Sequence, residues 1–182
     1  MFIKTTLAAA AVLALSACAS NMSAPAMAYS QAGLPATVQV PAGHKVAMET
    51  VGVGQITYEC RTKKDIAGQF EWVFVGPDAK LMGRNGQQVG KYYGPPATWE
   101  SMDGSKLTAT QLAVAPAMAG SIPLQLVKAN PAMGMGAMQG VTYIQRVKTQ
   151  GGVAPAMACD AAKMGSKQIV NYQADYIFWR PV

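Results

Sequence analysis

From about residue 45 onward, apolar and polar positions alternate with a period of two. The runs are short, rich in Val, Ile, Thr and aromatic residues, and broken by Gly, Pro, Asn and Asp. That period belongs to strands with one buried face, and no stretch carries a long 3.6-residue apolar stripe. The pattern predicts strands near 45–51, 54–60, 70–75, 79–82, 87–93, 106–114, 122–128, 140–148 and 168–179. Gly52-Val53-Gly54, Arg84-Asn85-Gly86 and Asp103-Gly104-Ser105 read as turns between them, because Gly and Asn accept positive φ. Ala158, Ala161 and Ala162 around Cys159 permit at most a short helix. About nine short strands at this spacing predict an all-β single domain over 38–182. The expected architecture is an antiparallel sandwich or a partly closed barrel, with a β-rich α+β fold as the alternative.

The first eighteen residues follow a different pattern. Lys4 precedes an uninterrupted apolar run from Leu7 to Leu15. Such a run spans about 13 Å as a helix, too short for a bilayer core of about 30 Å, so it reads as an export signal. It ends in Leu15-Ser16-Ala17-Cys18, which resembles a bacterial lipobox, where the cysteine thiol receives a diacylglyceryl group. The alternative is an ordinary signal cleaved after Ala26-Met27-Ala28. In the lipobox reading, residues 1–17 are removed and 18–37, rich in Ala, Ser, Pro and Met, form a lipidated flexible tether. Ala19 and Ser20, with no Asp after the cysteine, imply sorting to the periplasmic face of the outer membrane.

Export changes the reading of the remaining cysteines. Cys60 and Cys159 are an even pair in an oxidising compartment, where closure into a disulfide is expected over two free thiols. Nothing resembles Cys-x-x-Cys, which argues against thiol–disulfide catalysis.

The chain has 182 residues and a formal net charge of +6, with 51% hydrophobic and only 13% charged residues. That balance excludes a disordered tail and suits one domain. The positive charge is thin, and Arg61, Lys63 and Lys64 form its only cluster, on an expected loop running to Gly68. A solvated loop is the plain reading; attraction to anionic lipid or polysaccharide is the sharper one. No basic stripe interleaves with aromatics, so nucleic acid is not expected as a partner.

Candidate chemistry is sparse. His44 is the single histidine, which removes most metalloenzyme and triad designs. It would need an acid such as Glu49 or Asp175 and a nucleophile, and no Gly-x-Ser-x-Gly is present. Gly-rich segments lack both a P-loop and a dinucleotide fingerprint, so no cofactor is implied. Tyr92, Tyr93, Trp99, Glu100 and Asp103 form an aromatic–acid patch that would suit a small ligand or glycan. The alternative has Trp99 in the core, Glu100 solvated on the opposite face and Asp103 shaping a turn. Met133, Met135 and Met138 are soft thioethers suited to Cu(I), with Met102, Met118 and Met157 as possible neighbours. They also read as gap-fillers. Pro-Ala-Met recurs at 25–27, 116–118, 131–133 and 155–157 without a fixed period.

Six strings together resemble one family: VPAGHK (40–45), WVFVGPDAKL (72–81), TWESMDGSK (98–106), GVTYIQRVKTQGGVAP (140–155), CDAA (159–162) and ADYIF (174–178). The family is the exported bacterial and fungal domain of unknown function numbered three-four-five-five. The resemblance implies an exported, β-rich single domain with paired cysteines, and it supplies no activity. It departs from this chain at one place. The family pattern puts His-Tyr shortly before Gly-Pro-x-Trp-Glu, whereas this sequence reads Lys91-Tyr92-Tyr93-Gly94-Pro95-Pro96-Ala97-Thr98-Trp99-Glu100. A metal or acid–base role for that histidine therefore does not transfer. The expectation is a non-enzymatic, lipid-anchored envelope module with an envelope protein or polysaccharide as partner. A ligand or glycan binder and a Cu(I) binder are the alternatives.

Overall fold

The computed structural model describes residues 29–182. The expected export signal, Cys18 and the first part of the expected tether lie outside the described residues. Eight antiparallel strands follow one another around a closed barrel in chain order. They are β1 (His44–Thr62), β2 (Phe70–Gly83), β3 (Gln88–Tyr93), β4 (Thr98–Ser101), β5 (Lys106–Ala115), β6 (Leu124–Ala129), β7 (Tyr143–Gly151) and β8 (Lys167–Pro181). Closure comes from β1 and β8, which pair from His44 opposite Pro181 to Glu59 opposite Lys167.

The all-β expectation is met by a barrel, with one strand fewer than expected. Gly52-Val53-Gly54 is not a turn: it lies inside β1, so the strands expected at 45–51 and 54–60 are one. Gly52 faces the lumen, where a Cβ would lie 2.5 Å from Cε2 of Tyr176. Glycine here serves close approach of a ring to the backbone, and not a reversal of the chain. The strands expected at 70–75 and 79–82 likewise merge into β2. β4 escapes the sequence reading because four residues between a proline-rich corner and a turn carry too little alternation. The helix expected near Cys159 is a single 3-10 turn, Ala161–Lys163, capped by the Asp160 carboxylate accepting from the Lys163 amide.

The lumen is filled by side chains, as an eight-stranded barrel allows. Leu81, Trp99, Leu107, Ile144, Tyr176 and Phe178 are essentially inaccessible there. One end is plugged by the 130–142 connection, whose Met138 and Val141 join this core. Asp103, in the β4–β5 turn, holds the plug. Its carboxylate accepts from Ser105 Oγ at 2.6 Å, the Ser105 amide at 2.9 Å and the Ala137 amide at 2.8 Å. These bonds, led by the one from the Ser105 hydroxyl, bring its pKa down to about 2. Gly136 is required beside it, since its φ is +147° and a Cβ would sit 2.4 Å from the Asp103 carboxylate.

A second apolar cluster lies outside the barrel wall. Val38 and Val40, with Leu34 and Tyr29 beside them, pack over Leu126, Val147, Ile177 and Trp179. The segment expected to be a flexible tether is therefore, from residue 29 onward, packed against the domain. Gln145 clasps it. Its Nε2 donates to the Val38 carbonyl at 2.7 Å and to Gln31 Oε1 at 3.0 Å, while its Oε1 accepts from Trp179 Nε1 at 2.9 Å. Gln31 in turn exchanges two bonds with the Val40 backbone. Beside this clasp Arg84 bridges Glu49 and Asp175, at 3.0 and 2.8 Å. Burial, then the Asp175 and Glu49 carboxylates, push the Tyr29 phenol up to about 12.

Candidate functional site

The other barrel end carries the β1–β2 hairpin, the β3–β4 corner and the β5–β6 and β7–β8 loops. The Cys60–Cys159 disulfide ties the β7–β8 loop to the end of β1 there, with the two Cα atoms 5.5 Å apart. Trp72 Nε1 adds a bond to the Met157 carbonyl of the same loop at 2.8 Å.

Between the β3–β4 corner and β5–β6 a cleft of about 220 Å³ enters the lumen. Its floor is the stacked pair Tyr92 and Trp99, ring centroids 4.6 Å apart and planes 22° from parallel. Tyr92 on β3 lies directly opposite Trp99 on β4, so the two share a face, and both pack into the luminal core with Tyr176 and Phe178. Phe74, on β2, stands at the rim with its ring half exposed and packed edge-on to Tyr58. Pro95 lines the corner, and Gln111, Gln125 and Arg146 supply the polar side. Gln125 Nε2 donates to Gln111 Oε1. Arg146 lies opposite Gln125 on one side and opposite Tyr176 on the other, which points it into the barrel.

Arg146 is held by the Pro123 carbonyl, which accepts from Nε at 3.2 Å and Nη2 at 2.9 Å. Tyr58, Tyr92, Tyr172 and Tyr176 all have phenols pushed up by burial, and the Arg146 cation acts against that rise in all four. One cation thus faces a set of neutral hydroxyls. Tyr58 Oη donates to the Gly152 carbonyl at 2.7 Å, and the Tyr172 and Tyr176 hydroxyls are 3.2 Å apart. Trp99 Nε1–H finds no acceptor among the described residues, a position that costs a buried donor about 1–3 kcal/mol.

The aromatic–acid patch read from the sequence is divided three ways. Tyr92 and Trp99 face inward, whereas Tyr93 and Glu100, their chain neighbours, face outward. Outside, Tyr93 Oη donates to Glu100 Oε2 at 2.7 Å and Lys91 Nζ lies 3.3 Å from Glu100 Oε1. The Tyr93 hydroxyl holds the Glu100 carboxyl below its ordinary value. Asp103 is at the plugged end. The five residues therefore do not form one site, because successive residues of a strand point to opposite faces. The methionine cluster is also divided. Met138 is buried in the plug, Met135 is exposed with its sulfur accepting from Gln139 Nε2, and Met133 is half exposed. Met138 cannot join the other two at a metal without unplugging the barrel. His44 sits at the plugged end, with Nδ1 3.0 Å from the Pro41 carbonyl and its ring edge-on to Tyr143. In the basic cluster, Arg61 is paired to Glu59 at 3.1 Å, next to the hairpin of the open end.

Phe74, Gln111, Gln125 and Arg146 were not singled out by sequence reasoning. One signal was available for Arg146: it follows Ile144 by two residues, so it shares the face of an apolar neighbour in β7.

A family model described as "Protein of unknown function (DUF3455)" matches residues 41–180. The chain belongs to the DUF3455 family. The matched span opens just before β1 and ends within β8, so the family match takes in the whole barrel and its cleft. The clasped segment 29–40 precedes it. Neither the curated proteins nor the solved structures contain a match to this DUF3455 chain.

Proposed function

We propose that this DUF3455 domain is a small-ligand-binding module of the cell envelope, carried on an N-terminal lipid at Cys18 and taking its ligand at the unplugged end of the barrel. The observation that carries the reading is the cleft over the Tyr92–Trp99 stack, an apolar concavity with convergent polar groups at its rim. Its walls come from strands cross-linked by hydrogen bonds around a closed ring, which favours a preformed site over one assembled on loops. The neighbouring disulfide supports rigidity at the same end. The lipid reading rests on the Leu15-Ser16-Ala17-Cys18 string.

Titration of the isotopically labelled protein with a fragment library tests the binding reading by NMR. The expected result is saturable shifts of the Trp99 indole N–H and the backbone amides of Tyr92, Tyr93, Gly94, Ala97 and 109–111. A library that moves none of these would end it. Fractionation of Cys18→Ala tests the anchor: the variant should leave the membrane fraction, and unchanged retention would refute it.

A further inference from the structure

We propose that the cleft is built for a small aromatic carboxylate, with the ring lying on the aromatic side of the cleft and the carboxylate on the Arg146 guanidinium. The inference rests on the binding reading above and adds the chemistry of the ligand.

Size comes first. An apolar cavity of about 150 Å³ takes up one benzene, so about 220 Å³ accommodates one six-membered ring with a charged substituent. Drug-sized ligands occupy about 300–1,000 Å³, which places nucleotides and oligosaccharides beyond this cleft.

The walls select a ring. Tyr92, Trp99 and Phe74 present aromatic surface from three different strands, and aromatic pairs gain from offset or edge-on contact beyond their buried area. Phe74 is the informative member, because its ring is 52% exposed although it lies at the mouth of an apolar cleft.

The charge selects the substituent. Arg61 and Arg84 each meet a carboxylate within 3.1 Å. Arg146 meets none among the described residues, although its side chain enters a barrel lined by buried phenols. Its Nε and Nη2 lean on the Pro123 carbonyl, which fixes the guanidinium plane and leaves further N–H groups free out of its five. A fixed guanidinium is the geometry that a carboxylate meets with paired bonds. One cation matches one negative charge, so a monoanion fits better than a phosphate dianion. Gln111 and Gln125, bonded to each other, make the remaining rim polar and neutral. Asp78, on β2, lies opposite Tyr93 and Gln55, on the outward face.

The probes are benzoate, benzamide and cyclohexanecarboxylate, each titrated by NMR against the wild-type protein, Arg146→Gln and Arg146→Lys. Benzoate should shift the Trp99 indole and Arg146 guanidinium N–H signals saturably. Benzamide should bind at least tenfold more weakly, and cyclohexanecarboxylate more weakly than benzoate. Arg146→Gln should erase the preference for benzoate over benzamide, and Arg146→Lys should retain part of it. The comparison in wild-type protein stands alone should the glutamine variant unfold. Equal binding of benzoate and benzamide would overturn the inference. So would shifts of the cleft signals by other neutral fragments when benzoate produces none, and in that case the binding reading survives. If no fragment moves those signals, both fall.

Discussion

Replacing Gln145 with leucine removes the centre of the clasp while keeping its size and its apolar contacts. Gln145 is fully buried, donates to Val38 O at 2.7 Å and Gln31 Oε1 at 3.0 Å, and accepts from Trp179 Nε1 at 2.9 Å. In the variant the Trp179 N–H and the Val38 carbonyl lose their partners inside an apolar cluster. Each orphaned group costs about 1–3 kcal/mol, so the loss is about 2–6 kcal/mol if the segment stays in place. Gln31 adds little to this, since it keeps its two bonds to Val40. The loss has a ceiling, because the segment can instead undock and let water satisfy both groups. Undocking exposes Val38 and Val40, now almost inaccessible, at about 1.5–3 kcal/mol each. The two routes cost about the same, so the variant should populate the undocked form. Urea unfolding measures the stability, and hydrogen exchange of residues 29–40 measures the docking. The expected outcome is a loss of about 2–6 kcal/mol with faster exchange confined to that segment. A loss under about 1 kcal/mol with unchanged protection would show that the segment is held by its valines alone and would refute the clasp.

Three further outcomes follow from the same geometry. The paired substitution Cys60→Ser/Cys159→Ser opens a loop of sequence separation 99, and chain entropy assigns it about 4–5 kcal/mol, read as a fall in the urea midpoint; a change under about 1 kcal/mol would contradict this. Gly52→Ala puts a Cβ 2.5 Å from the Tyr176 ring and should cost about 1–3 kcal/mol by thermal unfolding, whereas an unchanged Tm would mean the ring moves freely. Asp103 has its folded pKa lowered from 3.8 to about 2, so the stability it lends is present above pH 4 and is lost as pH falls toward 2. Thermal unfolding across that window should show a declining Tm that Asp103→Asn flattens, and parallel curves for both proteins would count against the carboxylate as the holder of the plug.

Residue pattern alone determined a good deal of this protein. Alternation in 106–114, 122–128 and 168–179 located β5, β6 and β8, because a strand with one buried face must repeat every second residue. The turns at 84–86 and 103–105 were legible from Asn, Asp and Gly. The expectation of export, together with an even cysteine pair, pointed to Cys60–Cys159. Alternation also states which residues of one strand share a face, yet it does not say which face meets the lumen. Tyr92 and Tyr93, or Trp99 and Glu100, are therefore neighbours in sequence and strangers in space. In β7 both faces carry buried residues, Ile144 toward the lumen beside the half-buried Arg146, and Gln145 and Val147 beneath the clasp. That double burial exists only because residues 29–40 return to cover the wall. The cleft itself gathers Phe74, Trp99, Gln125 and Arg146 from four strands. They meet because β1 and β8, more than a hundred residues apart, close the ring. Ring closure is a long-range pairing, and no local window of sequence contains both of its edges.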